Sequence, residues 1–195
     1  MLKGGLRASE SATRVADRLR ERNRISREFF PREATRLAAV CRRMSERFLE
    51  GGRLIAFGRG PYSTDAQHVS VEFIHPIVVG KRALPALDVS LSYRPWLAAV
   101  LQPQDMVMGF GPPEGDPDVQ AALNEARTRG ALTFALPGRD ADYSVEASSP
   151  DPFVHQEMLE ILYHTLWETV HVFFEHRERG HEADSDFPIA YNLRS

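Results

Sequence analysis

Apolar residues recur at helical spacing over the first quarter of the chain. Cys41, Met44 and Phe48 lie three and four residues apart, which predicts one buried helix face within residues 9–50. Pro31 predicts a break in this helix, because proline lacks an amide hydrogen and clashes with the preceding turn. The glycine pair that follows the pattern predicts where the helix ends.

Short apolar runs of strand length follow, separated by glycine, proline and aspartate. Longer stretches of helical length lie between and after them. Strands that alternate with helices predict a parallel sheet with helices on both faces. The predicted fold is therefore an α/β three-layer αβα sandwich with about five strands and a helical N-terminal arm. The predicted strand segments begin at Arg53, Ala83, Asp105, Ala131 and Tyr143, and the helices cover about 65–75, 119–129 and 152–179.

The same pattern divides the chain into three segments. Residues 1–50 form the arm, which belongs to the same domain as the sandwich at 51–180, and residues 181–195 form a polar tail. A chain of 195 residues is long enough to bury one substantial core. With 43% hydrophobic and 26% charged residues, its composition is that of a globular protein.

Charge and cysteine content exclude several classes of protein. A formal net charge of −3 argues against nucleic acid as the main partner. The single Cys41 excludes an intrachain disulfide and fits a reducing compartment. The first eleven residues lack a secretory signal, and no apolar run reaches the ~18–20 residues that a membrane helix needs. We therefore expect a cytoplasmic protein without a membrane partner.

Two spaced pairs of polar residues suggest chemistry. His68 and Glu72 are four residues apart and share a helix face, while Gln156 and His164 are eight apart on neighbouring parts of another. Two imidazoles, a carboxylate and an amide oxygen suit zinc, and they equally suit a proton-transfer site. An alternative is that His68 and Glu72 form an ordinary solvated surface pair.

The predicted topology favours a site over a surface pair. Ligands of an open parallel sheet bind outside the carboxyl ends of its strands. The turn at 58–60, the turn at 109–111 and the start of the last helix would all lie near that edge. His68 and Glu72 are therefore expected to point towards one crevice.

The order of these pieces resembles the sugar isomerase (SIS) domain, and in particular the phosphoheptose isomerases. The resemblance covers about residues 10–178, and it is carried by G-G-R-L-I-A-F-G, D-A-Q-H-V-S-V-E-F, K-R-A-L-P-A-L and H-Q-E-M-L-E-I-L-Y-H-T-L. It implies a flavodoxin-like SIS domain. It also implies a homotetramer in which the arm and the last helix form much of the interface, with active sites between subunits.

The resemblance also implies roles for the spaced pairs. His68, Glu72, Gln156 and His164 fall on the positions that hold zinc in the family. Glu72 and His164 fall on the acid–base pair that interconverts an aldose and a ketose through an enediol. The substrate that the resemblance implies is sedoheptulose 7-phosphate.

The chain differs from the family at the turns that hold the substrate phosphate in family members. The family has Gly-Gly-Ser after the first strand and a Ser/Thr-rich loop after the third, whereas this chain has G-P-Y at 60–62 and G-P-P-E-G-D at 111–116. The prolines remove amide donors, and the acidic side chains repel phosphate. The remaining candidates for substrate binding are Arg59, Ser63 and Ser92.

Two functions therefore stay open. One is a phosphoheptose isomerase-like aldose–ketose isomerase with a sugar or sugar-phosphate ligand. The alternative is a SIS-domain accessory protein that binds zinc or a partner and has lost sugar-phosphate binding. The retained His, Glu and Gln side chains favour the first, and the altered turns favour the second.

Overall fold

A five-stranded parallel sheet forms the centre of the computed structural model, which describes residues 8–178. The strand order is β2-β1-β3-β4-β5, and every neighbouring pair is parallel. This confirms the predicted sheet, and its order is that of flavodoxin-like folds. The strands are β1 Leu54–Gly58, β2 Ala86–Asp88, β3 Met106–Phe110, β4 Leu132–Leu136 and β5 Tyr143–Ser144.

Helices cover both faces of the sheet and complete the three-layer sandwich. One face is covered by α1, α2 and α5, which pack against one another, and the other by α3 and α4. No helix within residues 8–178 is long and apolar enough to span a lipid bilayer. The predicted tail at 181–195 lies outside the described residues. The helices are α1 Ala8–Leu49, α2 Ser63–Ile74, α3 Tyr93–Val100, α4 Pro117–Thr128 and α5 Pro152–Glu178.

Alternation along the strands divides the core into two layers. In β1, Leu54 and Ala56 face the layer of α1, α2 and α5, while Ile55 and Phe57 face α3 and α4. Every residue of β1, β3 and β4 is buried, as expected for central strands with helices on both sides.

The predicted break at Pro31 is wrong, because α1 runs continuously from Ala8 to Leu49 with the proline inside it. A proline in a helix costs about 3 kcal/mol. Burial of Phe29 and Leu37 on either side of it, in the layer shared with α5, offsets this cost. Tertiary packing therefore overrides the local preference.

The strand order fixes where a crevice opens. β1 lies between β2 and β3, so the connections that leave β1 and β3 depart to opposite faces of the sheet. The turn after β1 leads into α2, and the loop after β3 leads into α4. Ligands of doubly wound sheets bind at this reversal, outside the carboxyl ends of the strands.

Candidate metal and acid–base site

A tight turn places α2 directly above the end of β1. A Cβ atom at Gly58 would lie only 2.1 Å from the carbonyl oxygen of Tyr62, so only glycine fits here. The turn continues as one 3₁₀ turn, Gly60–Tyr62, into α2 at Ser63. The first turns of α2 therefore lie at the carboxyl edge of the sheet, facing α5.

Two side chains, one from α2 and one from α5, approach the Nε2 atom of His68 and form a trio with it. Glu72 Oε1 lies 3.4 Å from this atom, and His164 Nε2 also lies 3.4 Å from it. One ligand atom from each of the three residues lies within 4.8 Å of the others. Two ligands at 2.0–2.1 Å from a tetrahedral ion are about 3.4 Å apart. The spacing and the donor types of the trio therefore fit a zinc ion.

The other nitrogen of His68 faces groups that orient its ring. The Tyr163 hydroxyl lies 2.8 Å from Nδ1, and Glu160 Oε1 lies 3.6 Å from it. The Tyr163 hydroxyl therefore engages Nδ1, and Nε2 is the ring nitrogen directed at Glu72 and His164. Histidines that bind metals usually have their second ring nitrogen hydrogen-bonded to a neighbouring group.

Gln156 contacts α2 one turn before His68. Its amide nitrogen lies 3.2 Å from Thr64 Oγ1 and 3.2 Å from Asp65 Oδ2. Donation to both oxygens leaves the amide oxygen as the atom that Gln156 can offer to a ligand. The structure thus brings three of the four predicted zinc ligands together, and it holds the fourth against the helix that carries His68.

Asp65 is a buried carboxylate next to this group. It is 1% exposed, and its Oδ1 atom has no hydrogen-bond partner among the described residues. Burial raises the pKa of Asp65 to about 6, and the hydrogen bond from Gln156 opposes the shift. Burial likewise raises the pKa of the Tyr163 hydroxyl, with the charge of Asp65 as the next cause. Tyr163 therefore stays protonated at neutral pH.

The three residues predicted to bind substrate lie around the same edge of the sheet. The Arg59 guanidinium forms ion pairs with Asp116 and Asp118. The Ser63 hydroxyl donates to the Gly60 carbonyl oxygen at 2.8 Å. Ser92 lies at the start of α3 and is exposed. Their roles in substrate binding remain predictions.

The sequence interpretation missed Asp65, Glu160 and Tyr163. Helical spacing carries a signal for two of them, because Asp65 precedes His68 by three residues and Glu160 precedes His164 by four. Tyr163 gave no such signal, since an aromatic residue within an apolar helix is typical of a core position.

Comparisons with known proteins agree with this fold. No model of a protein family matches the chain. The phosphoheptose isomerase of Solidesulfovibrio magneticus is 28% identical over 191 residues, covering 86% of this chain and 94% of that protein. The phosphoheptose isomerase of Pelobacter propionicus is 31% identical over 120 residues, covering 53% of this chain and 64% of that protein.

A solved structure shows the same architecture. The phosphoheptose isomerase of Neisseria gonorrhoeae superposes with a TM-score of 0.70 at 20% identity, covering 82% of this chain and 97% of that one. The fold of the chain is therefore that of the SIS domain. In sequence, the chain is similar to the phosphoheptose isomerases.

Proposed function

We propose that this protein is an aldose–ketose isomerase related to the phosphoheptose isomerases, with Glu72 and His164 as its acid–base pair. The relatives that carry that name support a sugar-phosphate isomerase function in general. The observation that carries the specific proposal is the meeting of Glu72 and His164 at one imidazole nitrogen, each 3.4 Å from His68 Nε2.

The two residues supply the groups that an enediol mechanism requires. Glu72 removes the proton from the carbon next to the carbonyl and returns it to the former carbonyl carbon. His164 donates a proton to the carbonyl oxygen and accepts one from the neighbouring hydroxyl, so the sugar gains and loses no atoms. The side chain of Glu72 is only 16% exposed, so bulk water has limited access to the base.

Zinc is the metal that the donor set favours. His68, Glu72 and His164 would hold it, with the Gln156 amide oxygen as a fourth ligand. A bound zinc would polarise the sugar carbonyl as a Lewis acid. A carboxylate bound to zinc is a weaker base, so the two roles of Glu72 compete.

The test is an isomerisation assay with sedoheptulose 7-phosphate and with sedoheptulose, after chelation and with zinc added back. Glu72→Gln should lower turnover by about 10²–10⁴-fold, the usual contribution of a general base. The matched control is Glu168→Gln, an exposed glutamate on α5 that should leave turnover unchanged. Isomerisation that survives Glu72→Gln at the wild-type rate refutes the assignment.

Zinc binding is measured separately by calorimetry. His68→Ala should abolish it, while His75→Ala, at the end of the same helix, should not. Zinc binding through His68 without isomerisation of either sugar would instead support the accessory protein. If the protein showed neither isomerisation nor zinc binding, both the isomerase and the zinc-binding accessory protein would be refuted.

We also propose that the chain assembles into a homotetramer. Val15 and Leu19 on α1 are 60% and 56% exposed, and Phe153 at the start of α5 is 77% exposed. These side chains line one surface groove, which a neighbouring subunit would cover. Light scattering at micromolar concentration should show a tetramer, and a monomer would refute the assembly.

A further inference from the structure

The crevice between the ends of β1 and β3 has two places where a phosphate group would be expected to bind. The turn after β1 and the N-terminus of α4 both face this edge of the sheet. Exposed amide groups at such turns and helix N-termini bind anions readily. Relatives named phosphoheptose isomerase act on a phosphorylated sugar by name. The question is therefore whether these amide groups are available here.

At the N-terminus of α4, the amide groups already donate to a carboxylate of the chain itself. Asp116 is the N-cap residue, and its Oδ1 atom accepts from the amides of Asp118 at 2.8 Å and Val119 at 3.2 Å. The Asp116 side chain is only 13% exposed, so it is packed into this position. A phosphate oxygen would need the same two N–H groups, and it would carry the same charge as the group already there.

Arg59, a cation in the turn after β1, forms an ion pair with the same carboxylate. Arg59 Nη1 lies 3.1 and 3.0 Å from the two carboxylate oxygens of Asp116, and 2.7 Å from Asp118 Oδ2. Arg59 precedes the 3₁₀ turn that leads into α2, so this ion pair spans the crevice from one turn to the other. Arg59 is consequently neutralised within the protein.

Several donors in the turn after β1 are also bonded within the chain. Pro61 has no amide hydrogen, and the Tyr62 amide donates to the Arg59 carbonyl oxygen at 3.3 Å. The Ser63 amide donates to the Gly60 carbonyl oxygen, and the Ser63 hydroxyl donates to that oxygen at 2.8 Å. These donors therefore face the chain instead of a ligand.

The charge of the loop after β3 adds repulsion. A cavity of about 590 Å³ beside α4 is lined by four carboxylates, and Arg139 is the one cation among the described residues around it. The carboxylates are those of Glu114, Asp116, Asp140 and Glu146. Positions 112 and 113 are both proline, and the Gly115 amide donates to the Pro112 carbonyl oxygen at 2.8 Å. A dianion that entered here would meet few donors and an excess of negative charge.

We infer that Asp116, held by Arg59, fills the anion position at α4, so that the crevice excludes phosphate and the sugar it takes is unphosphorylated at the end that faces α4. This inference rests on the proposed function for the identity of the ligand as a sugar. The exclusion of phosphate is a property of the crevice that can be measured independently.

The experiment compares ligands and variants by calorimetry. Wild-type protein is titrated with inorganic phosphate, with sedoheptulose and with sedoheptulose 7-phosphate. Asp116→Gly frees both amides while keeping an acceptable N-cap residue. Asp118→Asn is the matched control, because it removes an equal charge and an Arg59 partner but leaves the Asp116 cap in place. Asp116→Asn keeps a capping side chain without charge and serves if the glycine variant does not fold.

We expect wild-type protein to bind the phosphorylated sugar no more tightly than the unphosphorylated one. Asp116→Gly should raise the affinity for phosphate about tenfold or more, because it frees two amide donors. Asp116→Asn should raise it about threefold or more, because it removes a negative charge. Asp118→Asn should change it by less than about threefold. Wild-type binding of sedoheptulose 7-phosphate about tenfold tighter than sedoheptulose, or an equal gain in Asp118→Asn and Asp116→Gly, overturns the inference. If neither wild-type protein nor any variant isomerised either sugar, the proposed function would be refuted. The phosphate titration would still show whether the crevice excludes phosphate.

Discussion

The amino and carboxyl edges of the sheet each hold a buried aspartate, and the two differ in how completely their oxygens are hydrogen-bonded. At the amino edge, both oxygens of Asp105 are bonded, to the Arg53 amide, the Arg53 guanidinium and the Gln102 amide. At the carboxyl edge, Asp65 accepts from Gln156 through one oxygen, and the other has no partner among the described residues.

This difference distinguishes an aspartate with a structural role from one with a functional role. A buried charge that is fully paired fixes the ends of β1 and β3, and removing its partner is costly. A buried charge that is incompletely paired reduces stability, and such groups cluster at functional sites. Asp65 lies on the helix that carries His68, and Gln156 contacts it, so its position fits the second case.

The largest expected effect concerns the amino edge. Asp105→Ala should lower the free energy of unfolding by about 3 kcal/mol or more, because the Arg53 guanidinium and two backbone amides lose their acceptor. Urea unfolding at neutral pH measures the change. Asp17→Ala, which removes an exposed ion pair with Arg20, should stay within about 0.5 kcal/mol of wild type. Equal effects of the two substitutions would contradict the role of Asp105.

The next effect has the opposite sign and lies at the carboxyl edge. Asp65→Asn should stabilise the protein by about 2–3 kcal/mol at pH 7, because the folded pKa of Asp65 is raised to about 6. An acid whose pKa is raised in the folded state loses stability as the pH rises from its unfolded pKa, near 4, to its folded pKa. The stability difference between wild type and variant should therefore be small at pH 4 and complete above pH 6. Unfolding curves across this range provide the test, and a variant less stable than wild type at pH 7 would contradict it.

The smallest effect concerns Tyr163, whose hydroxyl lies 2.8 Å from His68 Nδ1. Tyr163→Phe should weaken zinc binding about tenfold, because the imidazole loses a group that fixes its orientation. Calorimetry with zinc gives the affinity, and the absorption spectrum of bound cobalt reports the ligand geometry. Tyr93→Phe, on the opposite face of the sheet, is the control. An unchanged affinity and spectrum in Tyr163→Phe would mean that packing alone orients the ring.

The prediction from sequence succeeded where neighbours along the chain decide the outcome. Apolar runs of strand length became β1, β3 and β4, because residues buried on both faces of a sheet must be continuously apolar. The four-residue spacing of His68 and Glu72 placed them on one face of α2, since helix geometry fixes that relation. It failed at Pro31, where packing against α5 offsets the cost of a proline within α1.

Sequence alone determined the alternation of strands and helices and the pairing of polar residues within each helix, because both depend on short-range geometry. Only the tertiary structure decided that His164 of α5 meets His68 of α2 at one nitrogen atom, that Asp65 is buried with an unpaired oxygen, and that Arg59 is held by Asp116. These relations join residues more than fifty positions apart or depend on burial by other elements. They follow from how α2, α4 and α5 pack on the sheet, which no local spacing encodes.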